Sequence, residues 1–299
     1  MQSDLTEFQT LVGRWLRVEP NRVLTITNGV NKNLRAMIND DDVFVRFSPA
    51  SLHSKCDLAW EATALKKLRL LEVPCCEIFE IDGQQILGPA TVNGVEYNAL
   101  VNRTIAGPLL ALVPADAKAF GCSLARLHRA SVDLPLPQYS DHRAKRVDPV
   151  LDTVFRELTE LEGTFQVDAK LKVGICHGDA WLGNAIMKEG IAVLFDFEFI
   201  KVGALAYDIA TFIWALRAAS SEEEGRVFKS FVEGYREECN NDFSEDELKS
   251  SLVRREINNI EFLSENIIMS REVKLATAQF ARDTIDFVSS DEFAQFRWT

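Results

Sequence analysis

Apolar residues follow two different spacings along this chain, and the strand-like spacing lies mostly in the first third. Residues 43–47 alternate between two faces, so that Phe44 and Arg46 share one face of a predicted strand. Runs at 23–27 and 34–38 also predict strands, and a polar turn separates them. These three neighbouring strands indicate an antiparallel sheet.

Helical segments accompany the predicted sheet. Residues 4–17 precede it with a helical pattern, and residues 55–71 have helical composition. Two further short runs, at 77–81 and 85–88, predict additional strands. We therefore expect a small N-terminal lobe with an antiparallel sheet and one long helix.

The rest of the chain is predicted to be mainly helical. Helices are expected at 114–131, 207–220 and 222–239, each with apolar residues on one face. A further helix begins at Ser244, because Ser244 and Glu247 have the spacing of a capping box. This pattern predicts a larger, mostly helical C-terminal lobe.

Length and composition agree with an α+β fold of two lobes. The chain has 299 residues, of which 47% are hydrophobic and 26% are charged, enough for a sizeable core. We expect residues 1–100 to form the N-terminal lobe and residues 101–299 to form the C-terminal lobe. The sequence leaves the oligomeric state open.

Net charge, the length of apolar runs and cysteine spacing argue against several classes of protein. A formal net charge of −12 argues against a nucleic-acid binder. No apolar run approaches the ~20 residues of a membrane span, and the first residues lack the pattern of a signal peptide. The six cysteines show no Cys-x-x-Cys spacing, which disfavours a zinc site or a disulfide framework. We expect a cytoplasmic protein without a membrane or nucleic-acid partner.

One polar motif carries the candidate chemistry. The run from Ile175 to Asn184 reads Ile-Cys-His-Gly-Asp-Ala-Trp-Leu-Gly-Asn, and Asp196 follows a predicted strand. Phosphoryl transfer needs a carboxylate to orient the attacking hydroxyl and oxygen ligands to hold magnesium on the phosphates. Asp179, Asn184 and Asp196 have the right groups for these tasks.

Spacing makes this motif more specific than a loose set of acids. Residues 185–188 and 191–195 predict two strands joined at Glu189 and Gly190. Such a hairpin returns Asp196 to the loop that carries Asp179. The alternative is a simple turn at His-Gly-Asp and an ordinary strand end at Asp-Phe-Glu.

These residues resemble the aminoglycoside phosphotransferase and choline kinase-like small-molecule kinases, which have a protein-kinase-like fold. The shared motifs are His-Gly-Asp-x-x-x-x-Asn and Asp-x-Asp/Glu. The resemblance implies that Asp179 is the catalytic base and that Asn184 and Asp196 are magnesium ligands, with Glu198 assisting the metal. It also implies that His177 shapes the loop through bonds to the backbone.

The same resemblance implies that the N-terminal lobe, residues 1–100, binds the nucleotide, and that the C-terminal lobe, residues 101–299, is catalytic and binds the acceptor. Gly29 and Asn31 fall in the nucleotide loop, although an ordinary hairpin turn explains this segment equally well. Arg46 falls at the phosphate-contacting position, where many relatives have lysine, and Glu61 is the carboxylate expected to pair with it. Whether Arg46 fully replaces the lysine is left open.

Three more positions follow from the resemblance. Residues 97–103 match the hinge between lobes, where Val101 and Asn102 are the approximate adenine contacts. Asp208 is implied to brace the catalytic loop. His128 is expected to be a histidine of the core or of the surroundings of the site rather than a metal ligand.

The sequence therefore predicts an ATP- and Mg²⁺-dependent kinase acting on a hydroxyl of a small-molecule acceptor. The candidate acceptors are an amino sugar, an amino alcohol and a homoserine-like metabolite. The alternatives are a protein kinase, a nucleotide-binding regulatory module without transfer activity, and a metal-dependent hydrolase. The last ranks lowest, because the four histidines form no ligand cluster in the sequence.

Overall fold

A computed structural model describes residues 2–130, 146–166, 171–219 and 223–298. Its described residues separate into two compact units, one reaching to Gly107 and the other starting at Pro108. The helix ends predicted at Ser131, Ser220 and Glu222 lie outside the described residues. Within the described ranges, no helix combines the length and the apolar character that crossing a bilayer requires.

The N-terminal unit is built on a five-stranded antiparallel sheet with two long helices. The strand order is β1-β2-β3-β5-β4, and neighbouring strands run antiparallel throughout. This confirms the predicted antiparallel sheet. The elements are α1 (Gln2–Leu16), β1 (Leu24–Asn28), β2 (Lys32–Ile38), β3 (Asp41–Pro49), α2 (Lys55–Leu70), β4 (Ile86–Val92) and β5 (Val95–Arg103).

The alternation predicted for the third strand is present in β3. Val43, Val45 and Phe47 are fully buried in a core cluster that includes Phe8 and Val12 of α1. The aromatic rings of Phe8 and Phe47 meet edge to face at 5.0 Å, a favoured arrangement of such rings. Burial of this face fixes the register of β3, because a slip of one residue would expose all three side chains.

The prediction of a strand at 77–81 was wrong. Ile78 makes a single bridge to Asn102, and Ile81 bridges only to Gln84. The segment touches the edge of β5 at isolated points, as where the Phe79 N–H donates to the Val101 carbonyl at 2.8 Å. Its apolar residues therefore cover the sheet without extending a ladder of strand hydrogen bonds.

The second unit is mainly helical, as predicted, with two small two-stranded sheets. One sheet pairs β6 with β9 and the other pairs β7 with β8, both antiparallel. The elements are α3 (Pro114–Arg129), α4 (Asp152–Glu162), β6 (Val173–Cys176), β7 (Ala185–Lys188), β8 (Ile191–Leu194), β9 (Lys201–Ala204), α5 (Ala206–Ala219), α6 (Glu224–Glu238), α7 (Glu245–Asn266) and α8 (Arg271–Ser289).

Helices α3 and α6 pack with their backbones in direct contact. A β-carbon on Gly121 of α3 would overlap the carbonyl oxygen of Phe231, and one on Gly234 of α6 would overlap that of Lys118. Each helix thus places a glycine against the backbone of the other. Close approach of this kind needs glycine on both sides, because a methyl group has no space.

Candidate active site

The loop after β6 has a sharply turned backbone at Gly178. This glycine has a φ of +87°, and a β-carbon there would overlap the carbonyl group of Phe199. Side chains rarely adopt such a φ. Both the backbone angle and the lack of space therefore require glycine at the position that immediately precedes Asp179.

The carboxylate of Asp208, in the first turn of α5, holds this turn from behind. Its Oδ2 accepts a hydrogen bond from the His177 N–H at 2.6 Å, and its Oδ1 accepts one from the Gly178 N–H at 2.9 Å. Asp208 is fully buried. The bracing contact that the sequence resemblance implied is thus present between α5 and the loop.

A histidine and a tyrosine complete the surroundings of Asp208. His128 Nε2 lies 3.0 Å from Asp208 Oδ2, and His128 Nδ1 lies 2.8 Å from the Tyr235 hydroxyl. Burial alone would raise the pKa of Asp208. This effect of burial is outweighed by the hydrogen bond and charge of His128, the nearby ring of His177 and the Gly178 N–H. The pKa of Asp208 therefore lies below its usual value. His128 is a buried residue of this network, as predicted.

The ring of His177 ties the loop to the strand hairpin. Its Nε2 lies 2.9 Å from the carbonyl oxygen of Phe195, and the ring packs on Phe197 with 4.4 Å between centroids. The Phe195 N–H also donates to the Asn184 carbonyl at 2.9 Å. The predicted hairpin of β7 and β8 therefore returns the residue before Asp196 to the loop.

Asp179 and Asn184 contact each other directly. The Nδ2 group of Asn184 donates both to the Asp179 carboxylate Oδ2 and to the Asp179 backbone carbonyl, each at 2.9 Å. Because its nitrogen serves Asp179, the amide oxygen of Asn184 is the atom left for a further partner. Asn184 is 6% exposed, so this orientation is fixed within the protein.

The oxygen donors here fit a hard divalent cation. The Asn184 amide oxygen and the Asp196 carboxylate come from neighbouring segments, and magnesium prefers a few such ligands together with phosphate oxygens and water. Asp196 has a φ of +62°, a left-handed conformation rarely adopted by residues other than glycine. Glu198 follows on the same segment and is half-buried. Metal binding by these three residues stays a prediction.

A contact that the sequence did not predict joins Arg255 of α7 to Asp179. Arg255 Nη2 lies 3.0 Å from Asp179 Oδ1, and the guanidinium lies 4.5 Å from the centre of the Trp214 ring. The Arg255 side chain is 15% exposed. No sequence signal marks this pair, because 76 positions separate the two residues and the resemblance gives no motif in α7.

Asp179 and Arg255 open onto a pocket of about 400 Å³ within the second unit. Two tryptophans, Trp181 and Trp214, form part of its wall, and Thr211 with three alanines of α5 provides most of the rest. The volume lies near the low end of the ~300–1,000 Å³ range of small-molecule sites. The pocket therefore brings a carboxylate, a guanidinium and aromatic surface together.

Glu256, next to Arg255 on α7, supports the wall of this pocket from inside. Its Oε2 accepts a hydrogen bond from Trp214 Nε1 at 2.5 Å. Burial raises the pKa of Glu256, although hydrogen bonds from Trp214 and Asn259 and the charge of Arg255 oppose the shift. A buried acid thus fixes the tryptophan on which the guanidinium lies.

In the N-terminal unit, the predicted ion pair between Arg46 and Glu61 is present. Arg46 Nη2 of β3 lies 2.5 Å from Glu61 Oε2 of α2, and the two side chains are 4% and 5% exposed. The pair links the sheet to the long helix. Contact of Arg46 with phosphate stays a prediction.

The other predicted nucleotide contacts lie in two places of the same unit. Gly29 and Asn31 lie in the turn between β1 and β2. Gly29 does not have a left-handed φ, and a β-carbon there would meet nothing nearer than the Asn31 carbonyl oxygen at 3.9 Å. Neither backbone angle nor crowding requires this glycine, and its contact with nucleotide stays a prediction.

Val101 and Asn102 lie inside β5 rather than in a connection between elements. The Val101 carbonyl already accepts the Phe79 N–H, whereas the buried side-chain oxygen of Asn102 has no hydrogen-bond partner among the described residues. The adenine contact of these two residues stays a prediction.

Similarities to known sequences extend over most of this chain. The model of the family described as "phosphotransferase enzyme family" matches residues 24–243. An uncharacterized protein of Deinococcus radiodurans is 30% identical over 239 residues, which cover 71% of this chain and 68% of that protein.

Solved structures of small-molecule kinases share the fold. A microcompartment-associated aminopropanol kinase has a TM-score of 0.74 at 16% identity, covering 99% of this chain and 100% of its own. Amicoumacin kinase hAmiN, in complex with AMP-PNP, has a TM-score of 0.71 at 14% identity, and the match covers 90% of this chain and 89% of that kinase. Spectinomycin phosphotransferase has a TM-score of 0.65 at 13% identity, covering 96% and 98%. The predicted protein-kinase-like fold is confirmed.

Proposed function

This chain belongs to the phosphotransferase enzyme family, and on that premise we propose that it transfers the terminal phosphate of ATP to a hydroxyl of a small molecule, with Mg²⁺. The observation that carries the proposal is the position of Asp179. Its carboxylate lines a pocket, and the same carboxylate accepts a hydrogen bond from Asn184.

Asp179 orients the acceptor in this proposal. Its carboxylate accepts a hydrogen bond from the acceptor hydroxyl and takes its proton as the oxygen attacks phosphorus. Asn184 holds one carboxylate oxygen in place at 2.9 Å. Fixed orientation matters because the attacking oxygen must lie in line with the leaving group.

Asn184 and Asp196 would hold Mg²⁺, and Glu198 would assist them. When bound, the ion supplies positive charge that offsets the charge on the phosphate oxygens. The contribution of the protein is to fix the two donor oxygens. The Asn184 amide nitrogen is already engaged with Asp179, which keeps the amide oxygen available.

Arg46 would contact the nucleotide phosphates from the N-terminal unit. The carboxylate of Glu61 fixes the guanidinium, and both groups are buried. A guanidinium held in this way has a fixed direction, and its planar fork suits recognition of phosphate oxygens. Gly29, Asn31, Val101 and Asn102 are the further contacts that we propose for the nucleotide.

A small acceptor is favoured over a protein substrate. The pocket beside Asp179 has a volume of about 400 Å³ and two tryptophans in its wall, features of a site for a compact molecule. The solved structures that share the fold include an aminopropanol kinase and a spectinomycin phosphotransferase. We also propose that the reaction takes place in the cytoplasm, where thiols stay reduced, since the described residues include all six cysteines and no disulfide joins any of them.

The test is Mg²⁺-dependent ATP consumption with pooled hydroxyl-bearing metabolites and aminoglycosides, with products resolved by mass. Wild type is compared with Asp179→Asn. We expect consumption that needs an acceptor, a product heavier by one phosphoryl group, and loss of both in the variant. Equal turnover by the two proteins would overturn the role of Asp179. Binding of ATP without consumption on any acceptor would favour a regulatory module instead.

A further inference from the structure

We propose that the acceptor carries a carboxylate beside its reacting hydroxyl, and that Arg255 binds this carboxylate. The acceptor class is then a small hydroxy acid rather than a polycationic amino sugar. This inference rests on the proposed function, since it names the substrate class of the same pocket.

The first support is the charge of the pocket. Asp179 and Arg255 are the charged residues among those that line it, and the remaining lining is aromatic or small. Asp179 already has Arg255 at 3.0 Å and Asn184 at 2.9 Å. A cationic acceptor would therefore meet a like charge next to a carboxylate that is already paired, whereas an anionic acceptor meets an attractive partner.

The second support is the unused hydrogen-bonding capacity of Arg255. A guanidinium has five N–H donors. Its Nη2 is bonded to Asp179, but its Nε is buried without a hydrogen-bond partner among the described residues. A charged donor left in this condition favours a ligand that supplies oxygen atoms. Carboxylates match the fork of a guanidinium with two parallel hydrogen bonds.

The third support is the fixed position of the guanidinium. It lies 4.5 Å from the centre of the Trp214 ring, and Trp214 is itself held by the buried Glu256. An arginine fixed on an aromatic face keeps the plane of its fork, so less freedom is lost when a carboxylate binds. The Arg255 side chain is thus held in one orientation, as suits a group that binds a ligand.

Distance sets the size of the acceptor. Because Arg255 Nη2 and Asp179 Oδ1 are 3.0 Å apart, a ligand that contacts both has its carboxylate and hydroxyl separated by only a few bonds.

In the transfer, the hydroxyl oxygen forms a bond to the terminal phosphorus and the bond from phosphorus to ADP breaks. The hydroxyl proton passes to Asp179, and the acceptor carboxylate is unchanged.

The experiment compares matched acceptors that differ in the carboxylate alone. The pairs are L-homoserine with 3-aminopropan-1-ol and glycerate with glycerol, and choline, kanamycin and spectinomycin provide the cationic arm. Wild type, Arg255→Gln, Arg255→Lys and Arg254→Gln are assayed for kcat and KM. Arg254 is the matched control, because it neighbours Arg255 but pairs with Glu162 and does not line the pocket.

We expect wild type to prefer the acid of a pair in kcat/KM by on the order of 10- to 100-fold, the range of a charge-assisted hydrogen bond. Arg255→Gln should remove this preference mainly by raising KM for the acid. Arg255→Lys should retain part of it, and Arg254→Gln all of it. Preference for a cationic or neutral acceptor, or an equal loss in kcat for acid and alcohol in Arg255→Gln, would overturn the inference.

A binding measurement separates failure of this inference from failure of the proposed function. Calorimetry with L-2-aminobutyrate, the unreactive deoxy analogue of homoserine, in the presence of Mg²⁺ and AMP-PNP should show binding to wild type and its loss in Arg255→Gln. Melting curves check that each variant is folded. If no acceptor is phosphorylated, the proposed function fails. If cationic acceptors are phosphorylated and carboxylates neither bind nor react, only the inference fails.

Discussion

The carboxylate Oδ1 of Asp208 accepts a hydrogen bond from the backbone N–H of Gly178 at 2.9 Å, across 30 positions of the chain. This bond connects the start of helix α5 to the turn that immediately precedes Asp179. The shape of the turn is therefore set by a distant helix as well as by its own residues. A defect at Asp208 should appear both in stability and in the orientation of Asp179.

The first prediction concerns Asp208→Asn. The amide nitrogen would face backbone N–H donors in a fully buried site. We expect the free energy of unfolding at pH 7 to fall by about 3–5 kcal/mol, the cost of breaking a buried charge network. Urea unfolding followed by circular dichroism measures this change.

The same variant has a defined pH dependence. Because the folded protein lowers the pKa of Asp208 below 3.8, the ionised carboxylate stabilises the fold above about pH 4. That contribution is lost as the pH falls through the folded pKa. The difference in unfolding free energy between wild type and Asp208→Asn should therefore become smaller in acid. A difference that stays constant from pH 7 to pH 3 would contradict a stabilising role of the ionised Asp208 carboxylate.

Asp179→Asn tests the proposed base. We expect kcat to fall by on the order of 10² to 10⁴, the usual contribution of a positioned base, while affinity for ATP is retained. Steady-state kinetics and nucleotide titration measure the two effects separately. A matched loss of nucleotide affinity would indicate a damaged fold instead of a lost proton acceptor.

Asp196→Asn tests the proposed metal site. Loss of residues that only support metal ligands already costs about 10- to 100-fold in metal affinity, so a direct ligand should cost at least that much. The measurement is the Mg²⁺ concentration that half-saturates activity. Glu198→Gln is the comparison, and we expect a smaller shift for it because its role is to assist.

Glu61→Gln tests the buried ion pair with Arg46. The variant leaves a buried guanidinium without its counter-charge, so the free energy of unfolding should fall by about 3 kcal/mol. Nucleotide affinity should fall as well, because Arg46 is no longer held. Glu80→Gln is the control, since its ion pair with Lys66 is exposed, and its melting temperature should match wild type.

Glu256→Gln should stabilise the protein increasingly as pH rises. Burial raises the folded pKa of Glu256 above 4.5, so its stabilising contribution is complete below about pH 4.5 and is lost as pH rises through the folded pKa. Glutamine keeps an oxygen for the Trp214 N–H and has no charge to bury. Unfolding free energies at pH 4.5 and pH 8 check the trend, and the exposed Glu265→Gln on the same helix is the control.

Local patterns in the sequence were enough to predict several parts of the structure. The hairpin of β7 and β8 was predicted correctly because two short apolar runs flank a turn at Glu189 and Gly190, which have φ values of +53° and +80°. The capping box at Ser244 and Glu247 is also present. In both places the determining contacts lie within a few residues of each other.

Features that depend on distant contacts were harder to predict. Arg255 reaches Asp179 only because α7 packs against α5, and the order of residues in α7 carries no sign of this partner. The segment at 77–81 has the composition of a strand, but a strand exists only where a continuous partner edge is available. Such outcomes are decided by tertiary packing and not by local propensity.

The glycine contact between α3 and α6 has a consequence for mutational tolerance. His128 lies on α3 and Tyr235 on α6, and the two meet at 2.8 Å beside Asp208. A side chain at Gly121 or Gly234 would push the helices apart and separate this pair. A saturation screen for inactive variants should therefore recover both glycines, although neither lines the pocket beside Asp179. Substitution at these two positions is therefore strongly constrained, because a larger side chain on one helix requires the backbone of the other helix to move away.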